Sequence, residues 1–392
     1  MFFMYNLLDI IKLFIDSYLI VRSNSYNKSF YMTNQKRLYQ IDLFRFIAAM
    51  SVLLHHYLFR GYAEGNMSNI DFGEIGQFFK YGYLGVDFFF ILSGFVISLS
   101  IKGNSLSKFL FSRITRLYPV YWLCVILTFL VILIFGAPRY FVTLKQLLFN
   151  LTMFQDYFGV DSIDGVYWSL VIEMRFYIMI ALFLIANKLK KININTFIYI
   201  WILLSIFIVF LNQEIFLLRV IKYIFILEWS SYFIAGMVFL QIFNGVFKLK
   251  HVLLLSICLF LSYYNLNVRK EEFEIFYQVP HSITIKFTTV VIFFILMFLI
   301  SKGKLNFLNS PKLLQLGLLT YPLYLIHQII GFIIFNNLSD KVNKYTLLFS
   351  TTIIMILVSY VISKKIDPLL SSLLRKKLDL IYVWFKLRKS NV

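Results

Sequence analysis

Arg45 and His56 have types and a spacing that suit chemistry. His56 stands eleven positions after Arg45, about three helical turns, so the two share a helix face about 16 Å apart. His55 points about 100° away from His56 on such a helix. A positioned imidazole can remove the proton of a hydroxyl or carry an acyl group itself. A carboxylate beside it would orient the ring or stabilise its charged form. Asp87, Glu173 and Glu228 are the candidates for that carboxylate, and His327 is a second imidazole. Arg113 and Arg116, three residues apart, share a helix face and would grip phosphate oxygens in pairs. By position alone they would equally serve as a positively charged anchor at a membrane surface. His55 and His56, being adjacent, make a poor chelating pair, and no metal is expected.

These residues must be positioned by helices in a bilayer. Of 392 residues, 60% are hydrophobic and only 15% charged, against roughly 45–50% and about 25% in soluble chains. The mean hydropathy is +0.78. That excess of apolar surface excludes a soluble enzyme, a disordered chain and a disulfide scaffold. Ten apolar runs predict spans at 42–59, 81–101, 117–136, 166–187, 195–212, 223–243, 252–264, 282–300, 314–335 and 345–366. The seventh is short for the roughly 20 residues a span requires. The bilayer core leaves backbone groups no partner but a helix's own, so the expected fold is an all-α polytopic membrane bundle. Between the spans lie polar loops, including 137–165 and 265–281.

Alternating ten spans from an inner start puts 24 Lys and Arg on the inner side and 10 on the outer. This bias predicts both termini in the cytoplasm. The net charge of +19 therefore reads as topology and attraction to anionic lipid headgroups, not as a nucleic-acid footprint. With these directions, His56, Asp87, Glu173, Glu228 and His327 fall at a similar depth in the outer half, and Arg113 and Arg116 at the cytoplasmic face. Ionisable groups inside a membrane are costly and usually functional; interhelical hydrogen bonding is the structural alternative. Cys124 and Cys258 lie in apolar runs and read as core residues. Residues 1–38 read as an extension, with an interfacial helix over 1–21 or a true start at Met32. Residues 39–368 read as the membrane domain and 369–392 as a basic cytoplasmic tail.

The motifs resemble those of the acyltransferase-3 family of multi-spanning membrane O-acyltransferases. Ile41-Asp42-Leu43-Phe44-Arg45 followed by His56 resembles the family's opening helix, and favours His56 over His55. Gly85 to Ile97, Arg113-Ile114-Thr115-Arg116 with Pro119-Val120-Tyr121-Trp122, Tyr167 to Tyr177, and Tyr321-Pro322-Leu323-Tyr324-Leu325-Ile326-His327 follow in the family's order. One departure stands at Met174-Arg175, where the family often has Glu-Gln.

The resemblance implies transfer of an acyl group, acetyl by default, from cytoplasmic acyl-CoA to a sugar hydroxyl. The acceptor would be a bacterial surface glycan or its lipid-linked precursor: O-antigen of lipopolysaccharide, exopolysaccharide or capsule. The enzyme would sit in the bacterial inner membrane, in contact with lipids and with glycan-assembly machinery, in a stand-alone form without an esterase-like domain. Arg113 and Arg116, with Arg45, would hold the coenzyme A phosphates. His56 would act as base or acyl carrier, with Asp87 or Glu173 orienting it. Trp168, Tyr321 and His327 would meet the substrate, Trp168 together with Glu173 binding the sugar. Ser93, Ser169 and Tyr321 would be donors to an oxyanion. A glycan flippase and a non-catalytic assembly factor are the rival readings.

Overall fold

A computed structural model describes residues 37–65, 67–101, 105–190, 192–211 and 215–390, and among these there is helix and no strand. The expected interfacial helix over 1–21 and Met32 lie outside the described residues. Helix α1 runs Tyr39–Ala63 and α2 Glu74–Ile101. They are followed by α3 (Leu106–Phe135), α4 (Leu144–Asn150), α5 (Tyr167–Lys190), α6 (Ile194–Val209), α7 (Phe216–Ile224) and α8 (Ser230–Phe243). The chain continues through α9 (Leu249–Tyr277), α10 (Ile283–Ser301), α11 (Leu314–Leu338), α12 (Lys344–Val361) and α13 (Asp367–Ser390). Side chains set several starts: Ser105, Thr143, Asn193, Ser282 and Asn343 each accept a backbone N–H from the first turn of the helix they precede.

Eight of the helical stretches are long and apolar enough to cross a membrane. The all-α polytopic bundle is therefore the fold. The fifth and sixth expected spans are shorter than expected. α6 has 16 residues and α8 has 14, about 24 and 21 Å of helix against a hydrocarbon core of about 30 Å. The sixth run breaks at Ile226, which has a φ of 46°, and the residues before it form the separate amphipathic α7.

The seventh span departs the other way, with 29 residues in α9. Its helix continues through Arg269-Lys270-Glu271-Glu272, expected as loop. Arg, Lys and Glu are good helix formers, Lys270 and Glu274 pair at 3.7 Å, and Arg269 turns inward to a carboxylate. The connection 137–165 is not a plain outer loop either. It dips to the middle of α3, where Tyr121 Oη donates to the Asn150 carbonyl at 2.8 Å and Trp122 Nε1 to the Leu151 carbonyl at 2.9 Å. Irregular backbone at that depth is stable because protein side chains satisfy it. The expected tail begins as a regular helix, α13, packed along α3.

The bundle's tightest pairing joins α2 and α8. A Cβ at Gly94 would stand 2.1 Å from the Phe233 carbonyl oxygen, and one at Gly236 would stand 2.0 Å from that of Ile91. Small residues allow this approach, as membrane helix pairs require. α11 is enclosed by α1, α3 and α12. Its buried length carries the side chains that connect the two halves of the site.

A candidate active site in two adjacent cavities

The first cavity, about 100 Å³, is lined by Arg45 of α1, Ser93 of α2, Arg113 and Arg116 of α3, Glu173 of α5 and Tyr321 of α11, among others. Three guanidinium groups face one carboxylate there. Arg113 is 8% exposed, and its Nε has no hydrogen-bond partner. Its guanidinium lies over the rings of Phe109 and Tyr177, 5.7 and 5.8 Å from their centroids. Glu173 accepts from Ser93 Oγ at 2.8 Å and from Tyr177 Oη. Tyr321 Oη donates to the Leu117 carbonyl at 3.2 Å. A cationic, partly desolvated site of this kind suits an anion with several oxygens.

The second cavity, about 410 Å³, is lined by His55, His56 and Arg60 of α1, Asp87 of α2, Trp168 of α5, Trp229, and Arg269 of α9, among others. The Trp168 and Trp229 ring centroids are 5.2 Å apart. Arg269 lies 4.0 Å over the Trp229 ring. Asp87 accepts from Tyr232 Oη at 3.0 Å and meets Arg269 NH2 at 3.5 Å. Both cavities share Val86 and Tyr324 as lining residues. Tyr324 Oη and Ser169 Oγ are 2.7 Å apart, so a hydroxyl pair stands where the linings of the two cavities meet.

His56 sits where α1 changes from α-helical to π-helical winding over His56–Arg60. Such turns recur at functional sites because they re-aim side chains. His56 Nδ1 is 2.8 Å from His327 Nε2. The two rings are within 9° of parallel with centroids 4.9 Å apart. That separation is what an in-plane nitrogen-to-nitrogen hydrogen bond gives, so the rings meet edge to edge. His56 Nε2 is 3.4 Å from NH1 of Arg60, whose remaining guanidinium nitrogens are held by Glu64.

Several expected juxtapositions differ. Asp87 does not reach His56, because its carboxylate is taken by Tyr232 and Arg269. Nor does Glu173, which lines the arginine cavity with its own hydroxyl partners. Trp168 and Glu173, expected to hold one sugar together, line different cavities. Glu228 leaves the cluster: it pairs with Lys222 at 3.2 Å and is 32% exposed. His327 lines neither cavity and is fully buried behind His56. Of the groups expected at similar depth, His56 meets His327 and shares its cavity with Asp87, whereas Glu173 and Glu228 lie elsewhere, because helix rotation decides which neighbour each meets. Arg175, at the departure from the family pattern, lies outside both cavities, 3.4 Å over the Tyr223 ring and bonded to Tyr157 Oη at 2.9 Å.

Sequence reasoning missed Arg60, Trp229, Arg269 and Tyr324. Arg60 stands four residues beyond His56, and Tyr324 midway between Tyr321 and His327, so both had a helical-spacing signal. Arg269 was hidden in a polar run read as loop, and Trp229 in the irregular turn before α8.

A multi-pass membrane protein with a buried histidine pair beside a cationic cavity is the class that the fold and site define. The chain belongs to the acyltransferase-3 family: the family model described as "Acyltransferase domain" matches residues 38–364. It is an acyltransferase enzyme. Over 261 residues it is 26% identical to "Putative acetyltransferase ORF330" of Acidianus two-tailed virus, covering 64% of this chain and 73% of that one. It is 26% identical over 172 residues to "Peptidoglycan O-acetyltransferase OatA" of Listeria monocytogenes, and 29% identical over 153 residues to "O-acetyltransferase OatA" of Staphylococcus aureus. Those matches cover 39% and 33% of this chain but only a quarter of each OatA chain. No solved structure matches the chain.

Proposed function

We propose that the protein transfers an acetyl group from acetyl-CoA, bound from the cytoplasm, to a hydroxyl of a cell-surface glycan or its lipid-linked precursor in a bacterial cytoplasmic membrane. The carrying observation is the pair of cavities that share Val86 and Tyr324, arginine-rich on one side and bearing histidine and tryptophan on the other. Arg45, Arg113 and Arg116 hold the phosphates of coenzyme A. The pantetheine arm passes Tyr324 and brings the thioester towards His56. A sugar ring rests against Trp168 and Trp229, whose faces suit a polyhydroxylated ring. The Listeria monocytogenes relative named as a peptidoglycan O-acetyltransferase supports a glycan as acceptor.

His56 Nε2 takes the acceptor hydroxyl's proton as the oxygen attacks the thioester carbonyl. The carbon–sulfur bond then breaks, and Nε2–H returns the proton to the departing thiolate. The products are an O-acetyl ester and free coenzyme A. Arg60, beside Nε2, faces the oxyanion of the tetrahedral intermediate.

The test is mass spectrometry of envelope glycans from cells lacking the gene, complemented with the wild-type chain or with His56→Ala. Alkali-labile acetate should vanish on deletion, return with wild type and stay absent with His56→Ala. In membrane vesicles, Arg113→Ala and Arg116→Ala should each raise KM for acetyl-CoA about 10- to 100-fold, the range of one charged hydrogen bond. Unchanged acetate in the deletion strain, or a turnover kept by His56→Ala, would sink the reading.

A further inference from the structure

We propose that His327 is the positioning residue of the site: it fixes His56 in the one tautomer that presents a bare Nε2 to the cavity. The inference rests on the reading of His56 as the base. The argument starts from hydrogen-bond polarity. His327 Nδ1 lies 2.9 Å from the Tyr324 carbonyl oxygen and 3.1 Å from that of Leu323. A carbonyl only accepts, so Nδ1 of His327 carries the hydrogen. Nε2 of a neutral His327 is then an acceptor. The His56 nitrogen 2.8 Å away, Nδ1, must donate to it. This leaves the lone pair of His56 on Nε2. Arg60 can only donate, and its NH1 at 3.4 Å is directed at that nitrogen, so both ends of the chain of contacts impose the same polarity.

His327 is itself held. Tyr57 Oη donates to the His327 carbonyl at 2.8 Å. Asp164 accepts the backbone N–H of Ile329 at 3.1 Å and that of Val166 at 3.1 Å, tying α11 to the start of α5 beside the pair. Gly331 leaves the room for Tyr57: a Cβ there would come within 2.4 Å of the Tyr57 hydroxyl. A hydroxyl, a carboxylate and a glycine thus converge on the backbone around His327, which bears on the cavity only through His56.

The arrangement replaces the usual carboxylate with a neutral imidazole. When Nε2 of His56 takes a proton, Nδ1–H still donates to His327, and no proton need pass further. His56 and His327 act in series, and His327 contacts neither acyl donor nor acceptor.

The experiment uses the full chain in membrane vesicles with acetyl-CoA and the host's envelope glycan fraction, rates being expressed per folded protein. His327→Leu should lower kcat about 10- to 100-fold, as removal of a residue orienting a functional histidine does, with KM for acetyl-CoA unchanged. His327→Gln, whose amide oxygen can accept from His56 Nδ1, should recover to within several-fold of wild type. A second readout is independent of turnover: 15N NMR of histidine-labelled protein, tractable with 5 histidines, should show His56 protonated at Nδ1. A His56 protonated at Nε2, or a His327→Leu variant with wild-type kcat, overturns the inference. So does a His327→Gln variant that folds but is as slow as His327→Leu. If His56→Ala keeps its activity, the functional reading itself falls. If His56→Ala is inactive and His327→Leu is not, only the role of His327 falls.

Discussion

At the scale of single residues, the site is set by which polar groups find partners and which are left facing a cavity. Arg45, Arg113 and Arg116 were legible as a cationic group, because charges this close to a helix start are few and their spacing is local. His56 was legible from its distance to Arg45. Its neighbour was not: His56 and His327 lie on helices far apart in sequence, and no spacing rule connects them. Asp87 and Glu173 were identifiable as buried carboxylates, yet their partners depend on helix rotation, which a list of depths does not contain. Asp164, in the connection before α5, is a further case. Burial pushes its carboxyl up to about 7, so the folded chain holds a proton that the unfolded chain releases near pH 4. The contribution of Asp164 to stability is therefore full below about pH 4 and falls as pH rises to about 7. The loss is on the order of 4 kcal/mol, with no further change from this group above that. Thermal melts in detergent between pH 5 and pH 8 should show this slope, and Asp164→Asn should flatten it.

At the scale of elements, the apolar runs located all eight described stretches that are long and apolar enough to cross a membrane, because length and hydropathy are properties of the run itself; the long polar helix α13 had no such signal. They did not locate the ends of α6, α8 and α9. There, Ile226 breaks a run that hydropathy alone would continue. Conversely, an inward arginine and an Asp87 partner keep a charged run helical inside the protein. The glycines of α2 and α8 were visible in the sequence, but what they permit was not. Gly236→Val would drive a Cβ into the backbone of α2, where no side chain can move aside. Overpacking of this kind costs about 1–3 kcal/mol or more, and the variant should accumulate poorly and melt lower than Ala235→Gly. Fluorescence size-exclusion of the solubilised variants reads both outcomes.

At the scale of the whole molecule, the proposed direction of transfer makes an orientation testable. Lys302, before the turn into α11, belongs on the cytoplasmic side, and Lys341, between α11 and α12, on the other; both are exposed. Cys124 and Cys258 are buried, which keeps background labelling low. In intact cells a membrane-impermeant maleimide should modify Lys341→Cys and spare Lys302→Cys, with the pattern reversed in inverted vesicles; equal labelling of both would disprove the topology. The short helix α6 turns Ile200, Leu203 and Phe207 outward, while the shorter α8 is enclosed by its neighbours, so α6 alone gives the bundle a low outer face. A bilayer meets such a flank by thinning. A bilayer thinned beside α6 would act as a local lens, elastic strain drawing headgroups inward on that side of the bundle. Thicker, sterol-stiffened bilayers should resist that dimple and slow the enzyme, whereas short-chain phospholipids should gather there and relieve it.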